Sequence, residues 1–303
     1  MADLLIVGSF AYDTINTPTA RRERILGGTG SHATYGASFF TKVYASGIVG
    51  ALDWRPEDSE ILSAHNIDLE NLQIEPNAKT SFWEAQYSQD MNHRETLEFQ
   101  ANCLADLRLN LSDSARQCPY IFLANNPPTV QMEAIAQCVE PKLIVADTMD
   151  YYINGYNDDL LKMLRQVDGL ILNDSEAQLL TKKQDLFEAG DIIRQMGPRF
   201  VVIKKGAHGC IFMGEDDHLC VLPAYPSRQV VEPTGAGDCF AGAFVGYLAS
   251  KDCANLETIK EALVYATVAA SFTIEDFSFD ALRRSSREDL DARYQFMKRM
   301  LTF

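Results

Sequence analysis

No stretch of the chain comes near the ~18 consecutive apolar residues that a membrane-crossing helix requires, so no membrane span is expected. Positive charge is scarce. Lys and Arg number 27 against 42 Asp and Glu, for a formal net charge of -15. Nucleic acid and anionic membrane surfaces both demand a basic footprint, and neither is expected as a partner. Cysteine is present without pattern: Cys103, Cys118, Cys138, Cys210, Cys220, Cys239 and Cys253 are scattered, odd in number and free of C-x-x-C spacing. That speaks against a disulfide framework and a cysteine metal site; reduced, buried thiols of a cytoplasmic protein are expected. Met1-Ala-Asp-Leu-Leu-Ile-Val-Gly8 has no basic stretch or cleavage signature, and reads as a buried strand instead of a signal peptide. Gly8-Ser-Phe-Ala-Tyr-Asp13 lacks G-x-G-x-x-G spacing, which removes the dinucleotide fingerprint. No internal repeat, low-complexity tract or linker is evident, so one unit spanning 1–303 is expected.

What the chain does have is alternation. Short apolar runs at Leu4–Val7, Val43–Val49, Tyr120–Ala124, Leu143–Ala146, Gly169–Leu172 and Phe200–Ile203 read as buried strands. Between them, Ser31–Phe40, Thr129–Cys138, Asp158–Val167, Ser175–Leu180 and Asp185–Met196 read as helices. Strand–helix alternation predicts an α/β fold with a mostly parallel central sheet covered on both faces, its ligands beyond the carboxyl ends of the strands. The segment 79–109 breaks the pattern. Thr80–Tyr87 and His93–Phe99 alternate apolar with polar around Ser88-Gln-Asp-Met-Asn92, as a β-hairpin does. The last third is helical, over Cys239–Ser250, Leu256–Phe272 and Ser286–Leu301.

One segment carries chemistry on its face. Glu232-Pro-Thr-Gly-Ala-Gly-Asp238 opens an apolar helix with small residues and places a carboxylate in its first turn. The first N–H groups of a helix lack internal partners and its dipole favours an anion there. Gly235, Ala236 and Gly237 therefore form a phosphate cradle, and Asp238 is suited to take a proton from an attacking hydroxyl. Read as residues alone, the same pattern is also an ordinary helix start with a favourable acidic group.

Thr234-Gly-Ala-Gly-Asp238 resembles the C-terminal signature Asp-Thr-x-Gly-Ala-Gly-Asp of the PfkB, or ribokinase-like, family of sugar and nucleoside kinases, with Glu232 in place of the leading Asp. Other elements follow in the family's order. Asp13 matches an aspartate that binds substrate hydroxyls, although a turn or cap role also suits it. Gly27 and Gly28 match the N-terminal Gly-Gly-x-x-x-Asn signature, with His32 in place of the asparagine. As a residue, His32 is equally a packed helix histidine. Asn173-Asp-Ser-Glu176 matches the Asn-x-x-Glu element that organises Mg²⁺, and it also has the form of a helix cap. Gly206 and Gly209 match a Gly-x-x-Gly nucleotide turn, with Lys204 in reach of a phosphate; a plain hairpin turn fits them nearly as well. The resemblance makes Thr234 a nucleotide contact and places Ala266, Ala269 and Ala270 on a helix walling the adenine, where close helix packing would also ask for small residues. Asp147 is a secondary candidate near the phosphates.

The resemblance implies a ribokinase-like three-layer α/β/α fold with a small β-sheet lid from about 15–25 and 79–109. It implies ATP and Mg²⁺ as cofactors, with a monovalent cation needed by some relatives. The implied activity is transfer of the γ-phosphate to a hydroxyl of a sugar or sugar-like acceptor. Nucleoside or inositol kinases of the same family and a non-catalytic binding protein are the alternatives. Phe10, Tyr12, Phe82 and Trp83 are aromatics that could face an acceptor, and the lid hairpin offers an edge for a homodimer.

Overall fold

In the computed structural model, residues 2–91 and 93–302 are described; Asn92 of the expected hairpin turn lies outside them. The chain begins β1 (Leu4–Val7), β2 (Ala11–Asn16), β3 (Arg21–Gly27), α1 (Thr29–Ser38), β4 (Val43–Gly50), α2 (Pro56–Ser63), β5 (Ile67–Glu75), β6 (Ser81–Tyr87) and β7 (Arg94–Gln100). It continues α3 (Asp113–Arg116), β8 (Tyr120–Leu123), α4 (Pro128–Gln137), β9 (Leu143–Asp147), α5 (Asp150–Gly155), α6 (Asn157–Leu164), β10 (Gly169–Asn173), α7 (Asp174–Thr181) and α8 (Leu186–Gln195). It ends β11 (Phe200–Lys204), β12 (Cys210–Met213), β13 (Leu219–Leu222), α9 (Ala236–Lys251), α10 (Leu256–Thr273), α11 (Asp280–Arg283) and α12 (Arg287–Leu301).

Nine strands form the large sheet in the order β13-β12-β11-β10-β9-β8-β1-β4-β5. From β11 to β5 every pairing is parallel; β12 and β13 add antiparallel to the end. A parallel sheet is covered on both faces, which is why its strands are continuous apolar runs. Successive residues of β1 divide between the two layers. Leu4 and Ile6 join the core under α1, α9, α10 and α12, while Leu5 and Val7 join the core under α4, α6 and α8. The six strands expected from apolar runs are all present. β5, β12 and β13 were not expected. β5 mixes Asp68, Glu70 and Asn71 into its run, and β13 leaves Leu219 and Val221 exposed.

The smaller sheet has the order β3-β2-β6-β7, with β2 and β6 parallel and the other pairs antiparallel. The expected hairpin is β6–β7. Two expectations are corrected here. The small sheet starts at Ala11, not near 15, so Asp13 lies inside a strand and not in a turn after β1. The residues after Gln100 leave the sheet: Cys103, Leu107 and Leu109 pack into the large core because their side chains are its missing apolar cover. Among the described residues no helix is long and apolar enough to cross a membrane.

Candidate active site

Three neighbouring parallel strands end on polar residues. Asp147 closes β9, Asn173 closes β10 and Lys204 closes β11, with Asn173 and Lys204 directly paired. The carboxyl ends of parallel strands are where an α/β sheet opens a crevice. Lys204 Nζ donates to Asp147 Oδ2 at 3.0 Å in a nearly buried pair. Burial works against the lysine's charge, but Asp147, Glu176 and Asp238 together push its pKa up, so it stays protonated.

α9 supplies the opposite wall. Gly235 caps it with φ +74, a left-handed conformation that a side chain resists. A Cβ there would also overlap the imidazole of His32. His32 reaches this spot because α1 and α9 pack backbone to backbone. A Cβ at Gly242 would overlap the Ala33 carbonyl, so the small residues after Asp238 are what allow the approach. The His32 ring is buried edge-on to Phe279, 5.2 Å between centroids, and its Nδ1 has no hydrogen-bond partner. Burial lowers its pKa to about 4, so it is neutral.

Asp238 sits in the first turn of α9. Burial, then the charge of Asp147, raise its pKa to about 6, against the pull of Lys204 and Arg94. Glu176 rises to about 7 for the same two reasons, burial and Asp147. Glu232 is fully buried and also rises to about 7, through burial; its Oε1 accepts the Thr234 N–H and its Oε2 has no partner. Asp13 rises to about 8 through burial and the charge of Glu232, while the Gly28 N–H it accepts works the other way. Gly27 closes β3 opposite Ala11 and Gly28 leads into α1, so the double glycine lies beside Asp13. Asp13, Asp147, Glu176, Glu232 and Asp238 thus crowd one cleft with two cations, Lys204 and Arg94.

Asn173 and Glu176 form a reciprocal capping box at α7. The Asn173 Oδ1 accepts from Glu176 N and Ser175 Oγ, so the asparagine holds the glutamate and is not free to face a metal through that oxygen. Among the described residues no three His, Cys, Asp or Glu converge as a metal cage. A hydrated Mg²⁺ needs few direct carboxylates, and a crowded set of carboxyls with raised pKa values is one a divalent cation would relieve. The donor set fits.

Gly206 and Gly209, both with positive φ, shape the turn from β11 to β12, where Lys205 N donates to Gly209 O at 2.7 Å. The alanines of α10 are corrected. Ala266 and Ala269 have no exposed surface and belong to the core, so their smallness serves helix packing; only Ala270 is partly exposed. Phe10 and Tyr12 are likewise buried and offer no face to a ligand.

Several site groups escaped the sequence reading. Asn125 and Asn126, just past β8, hold buried amide atoms without partners, and Asn125 O accepts from Thr29 Oγ1 at 3.3 Å. Tyr87 of β6 shares a 2.8 Å hydrogen bond with Thr234 Oγ1, joining the small sheet to the helix-cap loop. Arg94 of β7 acts on four of the five carboxylates. Its only sequence signal is the strand alternation that sets it opposite Tyr87.

The family model described as pfkB family carbohydrate kinase matches residues 1–281. The chain belongs to that family. It is a phosphotransferase with a hydroxyl acceptor, on a ribokinase-like fold. Among curated relatives, a cytidine kinase from Thermococcus kodakarensis is 28% identical over 254 residues, 82% of this chain and 89% of the relative. The ribokinase of Arabidopsis thaliana, solved with ribose and ATP, superposes with a TM-score of 0.79 at 19% identity, over 97% of this chain and 99% of that one. A nucleoside kinase of Burkholderia thailandensis, solved with inosine, gives 0.77 at 20% identity, over 97% of each chain.

Proposed function

We propose that this family member transfers the γ-phosphoryl group of ATP to a hydroxyl of a sugar or sugar-like acceptor, with Asp238 as the general base. The observation that carries the reading is Asp238 itself: a buried carboxylate, pKa raised to about 6, in the first turn of the helix whose cap loop is Gly235-Ala236-Gly237. A base near that pKa is ionised at neutral pH yet basic enough to accept a hydroxyl proton. The N–H groups of the cap loop would stabilise the charge that develops on the phosphate oxygens. Lys204, kept charged by its carboxylates, would face the polyphosphate. Asp13 and Gly28 would hold the acceptor's other hydroxyls, with Nδ1 of His32 as a further polar contact from below. Glu176, steadied by Asn173, would orient the water shell of Mg²⁺. When bound, the metal supplies positive charge to the phosphates. The small sheet closes over the acceptor and excludes water, which would otherwise compete for the phosphoryl group.

A nucleoside acceptor is the second reading. It is favoured by the named cytidine kinase relative and by the small sheet itself. Trp83 is the register neighbour of Asp13, and Phe99 of Trp83, so two aromatics lie beside the acceptor aspartate; Phe99 is 60% exposed. The exposed edge of β7 is where a second copy would pair to form a homodimer. We place the protein in the cytoplasm, where its seven free thiols stay reduced.

The test is ADP release from Mg²⁺ and ATP against sugars, sugar phosphates, nucleosides and inositols. One acceptor should stimulate strongly, and Asp238→Asn should abolish the stimulation. An Asp238→Asn protein that keeps wild-type turnover would remove Asp238 from the mechanism.

A further inference from the structure

The roof of the cleft carries a cation that the reaction scheme above does not use. Arg94 opens β7 and pairs with Tyr87 of β6. Tyr87 is buried on the inner face of the sheet and bound to Thr234, so its partner residue hangs over the same loop. The guanidinium lies 5.5 Å from the centre of the Trp83 ring, across the strand from the Tyr87 side chain. The Trp83 indole is itself fixed by donating to Thr96 Oγ1 at 3.1 Å. Arg94 thus rests over one aromatic ring and across the strand from another.

Its charge is felt by four carboxylates on four separate segments: Asp13 in β2, Glu176 in α7, Glu232 in the loop after β13, and Asp238 in α9. The register with Tyr87, whose hydroxyl bonds Thr234, sets the arginine on the cleft side of the sheet beside the cap loop. Among the described residues Arg94 forms no ion pair. A guanidinium has five N–H donors in a planar fork. They can serve an anion bound at the cap loop that Tyr87 contacts. Lys204 cannot fill that role alone, because Asp147 already neutralises it.

We propose that Arg94 is a catalytic residue, a guanidinium on the small sheet that donates to the oxygens of the phosphoryl group while it passes from ATP to the acceptor. The inference rests on the kinase reading above. In the step, the acceptor oxygen forms a bond to the γ-phosphorus and the bond from phosphorus to the β,γ-bridging oxygen breaks. The acceptor proton goes to Asp238. Arg94 gains and loses no proton; it balances charge on the oxygens that stay on phosphorus. A planar fork suits those oxygens better than a point-charge ammonium does.

The experiment compares wild type, Arg94→Ala and Arg94→Lys in ADP release with Mg²⁺, ATP and the stimulating acceptor. Arg94→Ala should lower kcat by about 10³- to 10⁵-fold, in the range of arginines that contact a transferring phosphoryl group, with a much smaller change in the KM for ATP. Arg94→Lys should recover only part of the loss. Guanidinium ion added at millimolar concentration should restore turnover to Arg94→Ala in a saturable way and leave wild type unchanged, which a structural role would not produce. Melting curves check that each variant folds; should Arg94→Ala fail, Arg94→Gln takes its place in the same assays. A variant without the arginine that retains wild-type kcat, or loses it without guanidinium rescue, overturns the proposal while the kinase reading stands. A wild-type chain that neither binds Mg²⁺·ATP nor releases ADP overturns both.

Discussion

The floor and the roof of the cleft are built to different standards of burial. The floor is made of strand ends and helix starts set in a continuous core: Asp147, Lys204, Glu176 and Asp238 stand on β9, β11, α7 and α9. The roof is a four-stranded sheet whose last strand, β7, is exposed at every residue. Its own apolar cluster has four buried members, Ile15, Ala85, Tyr87 and Phe277. Among the described residues its hydrogen-bonded ties to the rest come from β2, β3 and β6 and, beyond immediate chain neighbours, none from β7: Tyr12 to Asp58, Leu26 O to Ser278 Oγ, Arg24 to Asp53 at 2.7 Å, and Tyr87 to Thr234 at 2.8 Å. Regions with few buried contacts open at low free-energy cost. On the proposed function, the division would set groups that need fixed geometry on the well-packed part and groups that admit and enclose an acceptor on the less buried one.

The sharpest way to break this comparison is to remove chemistry from the floor without disturbing packing. Asp238→Asn should lower kcat by about 10²- to 10⁴-fold, since it deletes the proposed base and leaves every other group in place. Its melting temperature should not fall, because the change discharges a buried carboxylate. Steady-state kinetics and thermal melting on the same preparation test both halves. A loss of activity that tracks a loss of stability would show that the floor is a structural cluster.

Next in size is the contact between α1 and the cap loop. Gly235→Ala meets two obstacles, a positive φ and the His32 ring. Backbone strain of this kind costs on the order of 1–3 kcal/mol. A fall in melting temperature and a turnover loss of about 10²-fold are expected. Adding His32→Ala should recover part of the stability, since it clears the ring but not the strain. A double variant no better than Gly235→Ala would show that the backbone alone sets the cost.

How much of this was legible beforehand follows the same division. The floor strands announced themselves, because a strand buried on both faces must be an apolar run such as Phe200–Ile203. Gly235 to Asp238 stood out because a helix start that is both cradle and acid has few other uses. Asp147 and Lys204 could be suspected singly, but their pairing is a product of strand order, which no local pattern encodes. Arg94 was hidden for a different reason. A basic residue in an exposed hairpin looks like any solvated charge until the sheet is seen to face the cleft. Ala266 and Ala269 misled because room for a ring and room for a helix both ask for a small side chain.

The pH dependence sharpens the comparison, because Glu176, Glu232 and Asp238 lie with the floor and its cap loop while Asp13, the most strongly raised of the four, stands on β2 of the roof. Asp238 near 6 should set the acid limb of kcat/KM, which falls about tenfold per pH unit below that point. Stability runs the other way. Asp13, Glu176, Glu232 and Asp238 hold their protons in the folded state to about 8, 7, 7 and 6, whereas unfolded carboxyls release theirs near 4. Between about pH 4 and 8 the folded chain therefore binds more protons, and its stability without ligand falls as pH rises. The melting temperature should be higher at pH 5 than at pH 8. Asp13→Asn should flatten that slope, and Mg²⁺ with ATP should narrow the gap. A melting temperature that climbs steadily toward pH 8 would mean that the carboxyls are charged and compensated in the unliganded fold.

The smallest effect is expected where roof meets floor. Tyr87→Phe removes the hydroxyl that bonds Thr234 and keeps the ring that packs on Ile15 and Phe277. A hydrogen bond of this kind contributes about 0.5–1.5 kcal/mol, so the melting temperature should move little. Kinetics should be more sensitive, because Arg94 stands directly across the strand from this side chain. If the bond only closes the roof, Tyr87→Phe raises the acceptor KM a few fold and leaves kcat alone. If it positions the guanidinium, kcat falls and the added guanidinium that rescues Arg94→Ala does not help, because the natural side chain still occupies the space. The KM-against-kcat split in this one variant therefore reports whether the roof serves the chemistry or merely covers it.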